Sequence, residues 1–266
     1  MKPGFRRTFI AVAGVLVLCL SAPLRAAEDE EFKAQRALFN YDATLPLGMK
    51  VKEVEKRLGA TVLDVTFDAL TGKDVAAYVV TPEGPGPFAG VLWVHWLGEP
   101  ETTNRTQFLN EAVKVAPQGV VSVLVDAMWS TAVNPDWFGK RVPDEDYKNS
   151  IRQVIALRRA LDLLVSQPGV DKSRLGLVGH DYGGMYSMMM AGVDQRLKAQ
   201  VYVAVVPSLN DWAFLGPQPA SKSAYLRQNS MLELTDYLRQ SAKGTSTFLQ
   251  FGSKDVYVSR VDTDED

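Results

Sequence analysis

With 266 residues, 46% of them hydrophobic and 23% charged, the chain has enough apolar material for one large soluble α/β domain. Its formal charge of −2 shows no excess of basic residues, a weak argument against nucleic acid or an anionic membrane as partner. The single cysteine, Cys19, leaves no intramolecular disulfide to form, and no metal-ligand spacing, phosphate loop or cofactor motif occurs, so no cofactor and no metal are expected.

The first residues differ from the rest. Lys2, Arg6 and Arg7 precede an apolar run from Phe9 to Leu20, followed by Ser21-Ala22-Pro23-Leu24-Arg25-Ala26-Ala27. A basic stretch, a short apolar stretch and a small-residue zone make a secretory signal, too short to favour a transmembrane helix. The expected division is therefore a signal peptide over 1–27 and one domain over 28–266, exported to the periplasm or secreted. Cleavage would remove four basic residues and no acid, shifting the charge to about −6.

After an acidic start and a possible short helix over 28–36, the stretch 40–58 is mixed, with Pro46 and Gly48 as breakers. Thr61–Phe67 and Val75–Thr81 read as two strands of an antiparallel hairpin. Pro82-Glu83-Gly84-Pro85-Gly86-Pro87 can only be a loop. Ala89–His95 is a continuous apolar strand of the kind buried on both faces, ending in His95-Trp96-Leu97-Gly98-Glu99-Pro100. A helix is predicted over Arg105–Ala116, a buried strand over Gly119–Val125 with Asp126 at its end, and a long helix over Asp144–Ser166. In that last helix Ile151, Val154, Leu157, Leu161 and Leu164 share a face.

The stretch that organises the chain follows: Leu175-Gly176-Leu177-Val178-Gly179-His180-Asp181-Tyr182-Gly183-Gly184-Met185. An apolar strand meets a very tight turn and a helix, and small residues flank the turn because strand and helix approach closely there. The turn residue, Asp181, is expected in a strained backbone conformation with its side chain at the carboxyl end of the sheet. Beyond it come a strand over Lys198–Val206, a helix over Ser230–Gln240 and a strand over Thr247–Phe251. Two strands followed by strand–helix alternation imply an α/β fold with a mostly parallel sheet and helices on both faces.

The turn resembles the nucleophile elbow of the α/β-hydrolases, with aspartate where esterases and lipases have serine. Gly179-His180-Asp181-Tyr182-Gly183-Gly184 is similar to the elbow of epoxide hydrolases and haloalkane dehalogenases. The layout over Thr61–Val258 is more similar to the dienelactone hydrolase-like branch. The short span from Pro207 to Asn229 has no room for the large lid of the former group. The resemblance implies an α/β-hydrolase fold, Asp181 as catalytic nucleophile, and an oxyanion hole made by the backbone N–H groups of Trp96 and Tyr182. It also implies a base-orienting acid after the family's seventh strand, here Thr247–Phe251, which makes Asp255 the first choice and Asp211, after the sixth, the second. Tyr225 is a candidate ring-opening acid should the substrate be an epoxide.

A carboxylate is a weak nucleophile towards an ester carbonyl but serves well against an electrophilic sp³ carbon, forming an alkyl ester that water then cleaves. The family's basic histidine lies near the C-terminus. This chain has only His95 and His180, both read as structural, and it stops at an acidic run, Asp262-Thr263-Asp264-Glu265-Asp266. The last strand and helices of the family pattern have no sequence to form them, so the fold is expected to be C-terminally incomplete.

The expectation is an exported hydrolase of small organic substrates with an aspartate nucleophile, acting on an epoxide, halide or lactone-type compound and impaired as the chain stands. A dienelactone hydrolase-type carboxylic-ester hydrolase, or a truncated or non-catalytic binding protein without its histidine, is the alternative. Trp96 and Trp129 line an apolar pocket on one reading and pack in the core on the other.

Overall fold

The computed structural model describes residues 32–136, 143–209, 233–255 and 258. The segment read as a signal lies outside them, as do Asp211 and Tyr225. Two units divide the chain, 1–37 and 38–266. In the first, a short helix occupies 32–37 (α1).

The second unit carries one eight-stranded sheet in the order β1-β2-β3-β5-β4-β6-β7-β8. The strands are β1 Lys50–Arg57, β2 Ala60–Asp68, β3 Asp74–Pro82, β4 Phe88–Val94, β5 Val120–Val125, β6 Val170–His180, β7 Ala199–Val203 and β8 Ser246–Gln250. The expected hairpin is β2–β3, in a register that sets Thr61 opposite Thr81 and Phe67 opposite Val75. The first three strands are antiparallel to their neighbours, and β5, β4, β6, β7 and β8 run parallel.

Successive residues of a strand point to opposite faces, so a strand buried at every position needs cover on both sides. β5 is such a strand, buried from Val121 to Val125. On one face, α2 (Leu109–Val115) brings Leu109, Ala112 and Val113 against Val62, Val80 and Leu124. The long helix α3 (Pro143–Val165) buries the predicted stripe, with Val154, Leu157, Leu161 and Leu164 fully enclosed. All twelve residues of α4 (Tyr182–Val193) are buried, because it lies between the sheet, α3 and the short α5 (Leu234–Arg239). Among the described residues no helix is long and apolar enough to cross a membrane.

Two elements depart from the sequence reading. β1 carries no strand signal in its sequence, because Lys50-Val51-Lys52-Glu53-Val54-Glu55-Lys56-Arg57 has no apolar face to bury. It is an edge strand exposed along nearly its whole length, and the β2 backbone recruits it. The helix expected from Arg105 begins only at Leu109. Asn104 explains the delay: its side-chain oxygen accepts from the Thr106 amide and hydroxyl, and this local bonding competes with a helical ladder. Arg105 is meanwhile drawn away by Asp126, which accepts from both its amide and its guanidinium.

Parallel strands end on one edge of the sheet, and that edge collects the site. The segments leaving β4 (His95 to Gly98), β5 (Asp126 to Ser130), β6 (His180 and Asp181) and β8 (Gly252 to Asp255) all emerge there, as expected for open parallel sheets.

Candidate active site

The strand-to-helix turn after β6 is as tight as its glycines imply. Asp181 has φ 52° and ψ −123°, a conformation that side-chain-bearing residues rarely adopt and that persists only where packing enforces it. Packing enforces it here. A Cβ at Gly183 would overlap the carbonyl oxygens of Val94 and His95, and one at Gly184 would overlap Val205. The Asp181 amide donates to the Val203 carbonyl at 2.8 Å, and its own carbonyl starts the helix by accepting from Met185 at 2.9 Å. The strained residue is thus tied to β7 on one side and α4 on the other, and its side chain is set at the carboxyl edge.

Asp181 is buried, only 6% exposed. Its Oδ2 accepts from the Leu97 amide at 3.0 Å, and the Tyr182 amide is a second backbone donor to the same group. Burial dominates its electrostatics and lifts the pKa from the usual 3.8 to about 6. The two amides oppose that rise and the negative charge of Asp255 adds to it.

The donor after β4 is therefore Leu97, one residue beyond the Trp96 of the sequence reading. Trp96 cannot serve, because its N–H donates to Gln107 Oε1 at 2.8 Å. The reason lies in the next peptide unit. The Trp96 carbonyl accepts from His95 Nδ1 at 2.8 Å and from the Trp129 indole N–H at 3.0 Å. In a trans peptide the C=O and the following N–H point in opposite directions, so fixing the Trp96 carbonyl inward turns the Leu97 N–H outward to Asp181. Gly98 completes the loop, since a Cβ there would strike the Trp96 indole.

Both histidines are engaged. His95 Nδ1 donates to the Trp96 carbonyl, and its Nε2 accepts from the Ala127 amide at 3.0 Å, so the ring is a neutral clamp between the loops after β4 and β5. Burial pushes its pKa down to about 4, against the Trp96 carbonyl and the Asp126 charge, which favour the protonated form. His180 bonds Gln107 Nε2 through Nδ1 at 2.7 Å and lies stacked on the Trp96 indole, with centroids 5.0 Å apart and planes 13° apart. Its pKa is also lowered by burial, with Asp255 opposing.

Trp129 is fully buried and packs against His95, Tyr182 and Tyr186, so it belongs to the floor beneath the loop. Trp96 is half-buried, and its indole N–H is taken by Thr102. Asp255 stands in the turn after β8, where its Oδ1 accepts from the Val258 amide. Its charge reaches both His180 and Asp181, so the two acids chosen from the sequence share one electrostatic site. Neither Leu97 nor Gln107 can be picked out from the sequence. A backbone donor leaves no trace in side-chain identity, and an isolated glutamine in a loop carries no pattern. Among the described residues no group of His, Cys, Asp and Glu side chains is placed to hold a metal ion.

The sheet order, the crossovers and the elbow define an α/β-hydrolase fold. No family model matches the sequence, and no curated protein matches it. Solved structures do resemble it. An acetyl xylan esterase from Paenibacillus sp. R4 superposes with a TM-score of 0.66 at 18% identity, covering 89% of this chain and 91% of its own. Acetyl xylan esterase 1 from Thermoanaerobacterium sp. JW/SL YS485 gives 0.62 at 12% identity, covering 87% and 88%. A glucuronoyl esterase from Solibacter usitatus gives 0.58 at 16% identity, covering 86% and 76%. At these identities the likeness is one of fold.

Proposed function

We propose that the protein is a hydrolase-fold enzyme whose Asp181 attacks an electrophilic sp³ carbon of a small organic substrate, an alkyl halide or an epoxide. The observation that carries this reading is the carboxyl group itself, aimed by a strained turn and held by the Leu97 amide through Oδ2.

In a serine esterase, amides at this place receive the oxygen of the substrate carbonyl. Here the Leu97 amide is already occupied by the protein's own carboxylate oxygen, so an ester carbonyl has no ready seat. An alkylating substrate needs none. With Oδ2 tied to Leu97, Oδ1 donates an electron pair to carbon, a C–O bond forms and the carbon–halide or ring C–O bond breaks, leaving halide or alkoxide. Oδ2 then becomes the carbonyl oxygen of the new ester, already placed where charge would develop during its hydrolysis.

That hydrolysis requires a base to activate water. Both ring nitrogens of His95 are used, and His180 gives its Nδ1 to Gln107. With both described histidines so engaged, the expected behaviour is one rapid reaction followed by a slow second step, with Asp255 contributing negative charge to the site. Incubation with a panel of small bromoalkanes and activated epoxides should add one substrate-derived mass to the intact protein, mapped by peptide analysis to Asp181. Asp181→Asn should not label. Folded protein that gains no mass across the panel, or that turns over a phenyl ester for many cycles with Asp181→Asn unaffected, would overturn the assignment. The second outcome would favour a carboxylic-ester hydrolase, the activity named for the structural neighbours.

A further inference from the structure

We propose that Gln107 and the neutral form of His180 are positioning residues that hold the Leu97 amide on the Asp181 carboxylate, so that the loop after β4 keeps its oxyanion geometry only while His180 is unprotonated at Nδ1. The inference rests on the proposed role of Asp181, which it deepens.

The argument begins with the glutamine amide, whose two ends are chemically opposite. Its Oε1 accepts from the Trp96 N–H at 2.8 Å, and its Nε2 lies 2.7 Å from His180 Nδ1. A flipped amide would set its NH₂ against the Trp96 N–H, donor against donor, so the orientation is determined. The NH₂ group must then donate to His180, and Nδ1 must accept. The ring proton therefore sits on Nε2. The His180 ring closes the circuit by stacking on the Trp96 indole, whose N–H is held by Thr102.

Trp96 is thus held through its amide by Gln107, through its ring by His180 and Thr102, and through its carbonyl by His95 and Trp129. The Leu97 N–H leaves this residue in a direction those contacts dictate. A proton on Nδ1 faces the Gln107 NH₂, and no rotation of the amide satisfies both neighbours. Protonation must break either the His180 contact or the Trp96 contact. The partners facing His180 from the loop after β4 and from Gln107 are neutral. The charged group acting on it from the turn after β8 is Asp255, and the charged group beside it on its own turn is Asp181.

The role differs from that of a core residue in what it predicts. In wild-type protein, ring ¹⁵N spectra at pH 7 should show His180 with its proton on Nε2. Gln107→Glu keeps an acceptor for Trp96 but offers His180 a carboxylate, so Nδ1 should become protonated and the ring should titrate at higher pH than in wild type. Gln107→Leu and His180→Phe, the latter retaining the stack, should raise hydrogen exchange at the Leu97 amide roughly tenfold, the scale of one lost hydrogen bond, while exchange along β4 stays unchanged. The same variants should slow labelling of Asp181 by a small bromoalkane by a similar factor, compared at pH 8, where Asp181 is ionised.

Unchanged exchange at Leu97 in folded Gln107→Leu, or a wild-type His180 with its proton on Nδ1, overturns the inference whatever the labelling shows. Wild-type protein that never labels overturns the role of Asp181 instead, and the exchange and ¹⁵N measurements still decide whether Gln107 and His180 hold the loop.

Discussion

Asp181 is a buried carboxyl group whose proton is held more tightly in the folded chain than in water, and that has a cost in stability near neutrality. Its folded pKa of about 6 lies above the usual 3.8, so the linked stability is fully present below about pH 4 and is lost as pH rises through 6. The shift of about two units corresponds to about 3 kcal/mol. Asp181→Asn keeps an oxygen for the Leu97 amide and carries no charge. The variant should therefore be more stable than the wild type at pH 8 by about 2–3 kcal/mol, with the gap closing towards pH 4, as read from urea unfolding at the two pH values. A gap independent of pH would mean that the carboxylate is better solvated than its burial indicates. The same titration governs chemistry: labelling of Asp181 by an alkyl halide should rise with pH through about 6 as the nucleophile ionises.

At the level of elements, the hairpin joining β1 to β2 is built against its own residue preferences. Arg57 pairs with Ala60, so the loop is the two residues Leu58 and Gly59, with φ of 46° and 79°. Two positive φ values in a two-residue hairpin define the turn in which asparagine followed by glycine is favoured. Leucine is a poor first residue, and it is 85% exposed, so it gains no compensating burial. Leu58→Asn should stabilise the protein by about 1 kcal/mol, seen as a rise in Tm with no change at the distant Asp181. A fall in Tm would show that the Leu58 side chain packs in solution against Val113 or Pro117, which line the same surface hollow.

Over the whole molecule, the two sheet edges are protected unequally. β1 presents lysines, glutamates and arginine together with a register irregularity between Val51 and Glu53, devices that discourage pairing with another chain. β8 reads Ser-Thr-Phe-Leu-Gln with no charge, and all five residues are exposed, Phe248 at 59% and Leu249 at 41%. Among the described residues, β7 alone pairs with it. Such an edge recruits a strand, and self-association is the expected result. Light scattering should show concentration-dependent growth that Phe248→Lys suppresses while leaving the far-ultraviolet dichroism unchanged. A wild type that stays monomeric at high concentration would show that β8 is covered.

The alternation of strands and helices, the hairpin of β2 and β3, and the turn at Asp181 are all legible in the order of residues. Each rests on local physics: an apolar run long enough to be buried on both faces, a stripe at helical spacing on α3, and glycines where helix and strand nearly touch. The same order also places Asp181 and Asp255 on one edge, because consecutive parallel strands end together. Tertiary structure decided the rest. β1 forms because a neighbouring backbone offers hydrogen bonds, and no side-chain pattern announces that. The donor to Asp181 is Leu97 and not Trp96, because the Trp96 carbonyl is turned inward by His95 and by Trp129, 33 residues away. Gln107 joins Trp96 to His180, which lies 73 residues further along the chain from Gln107. Such contacts depend on where loops meet in space, and one-dimensional spacing does not encode that meeting.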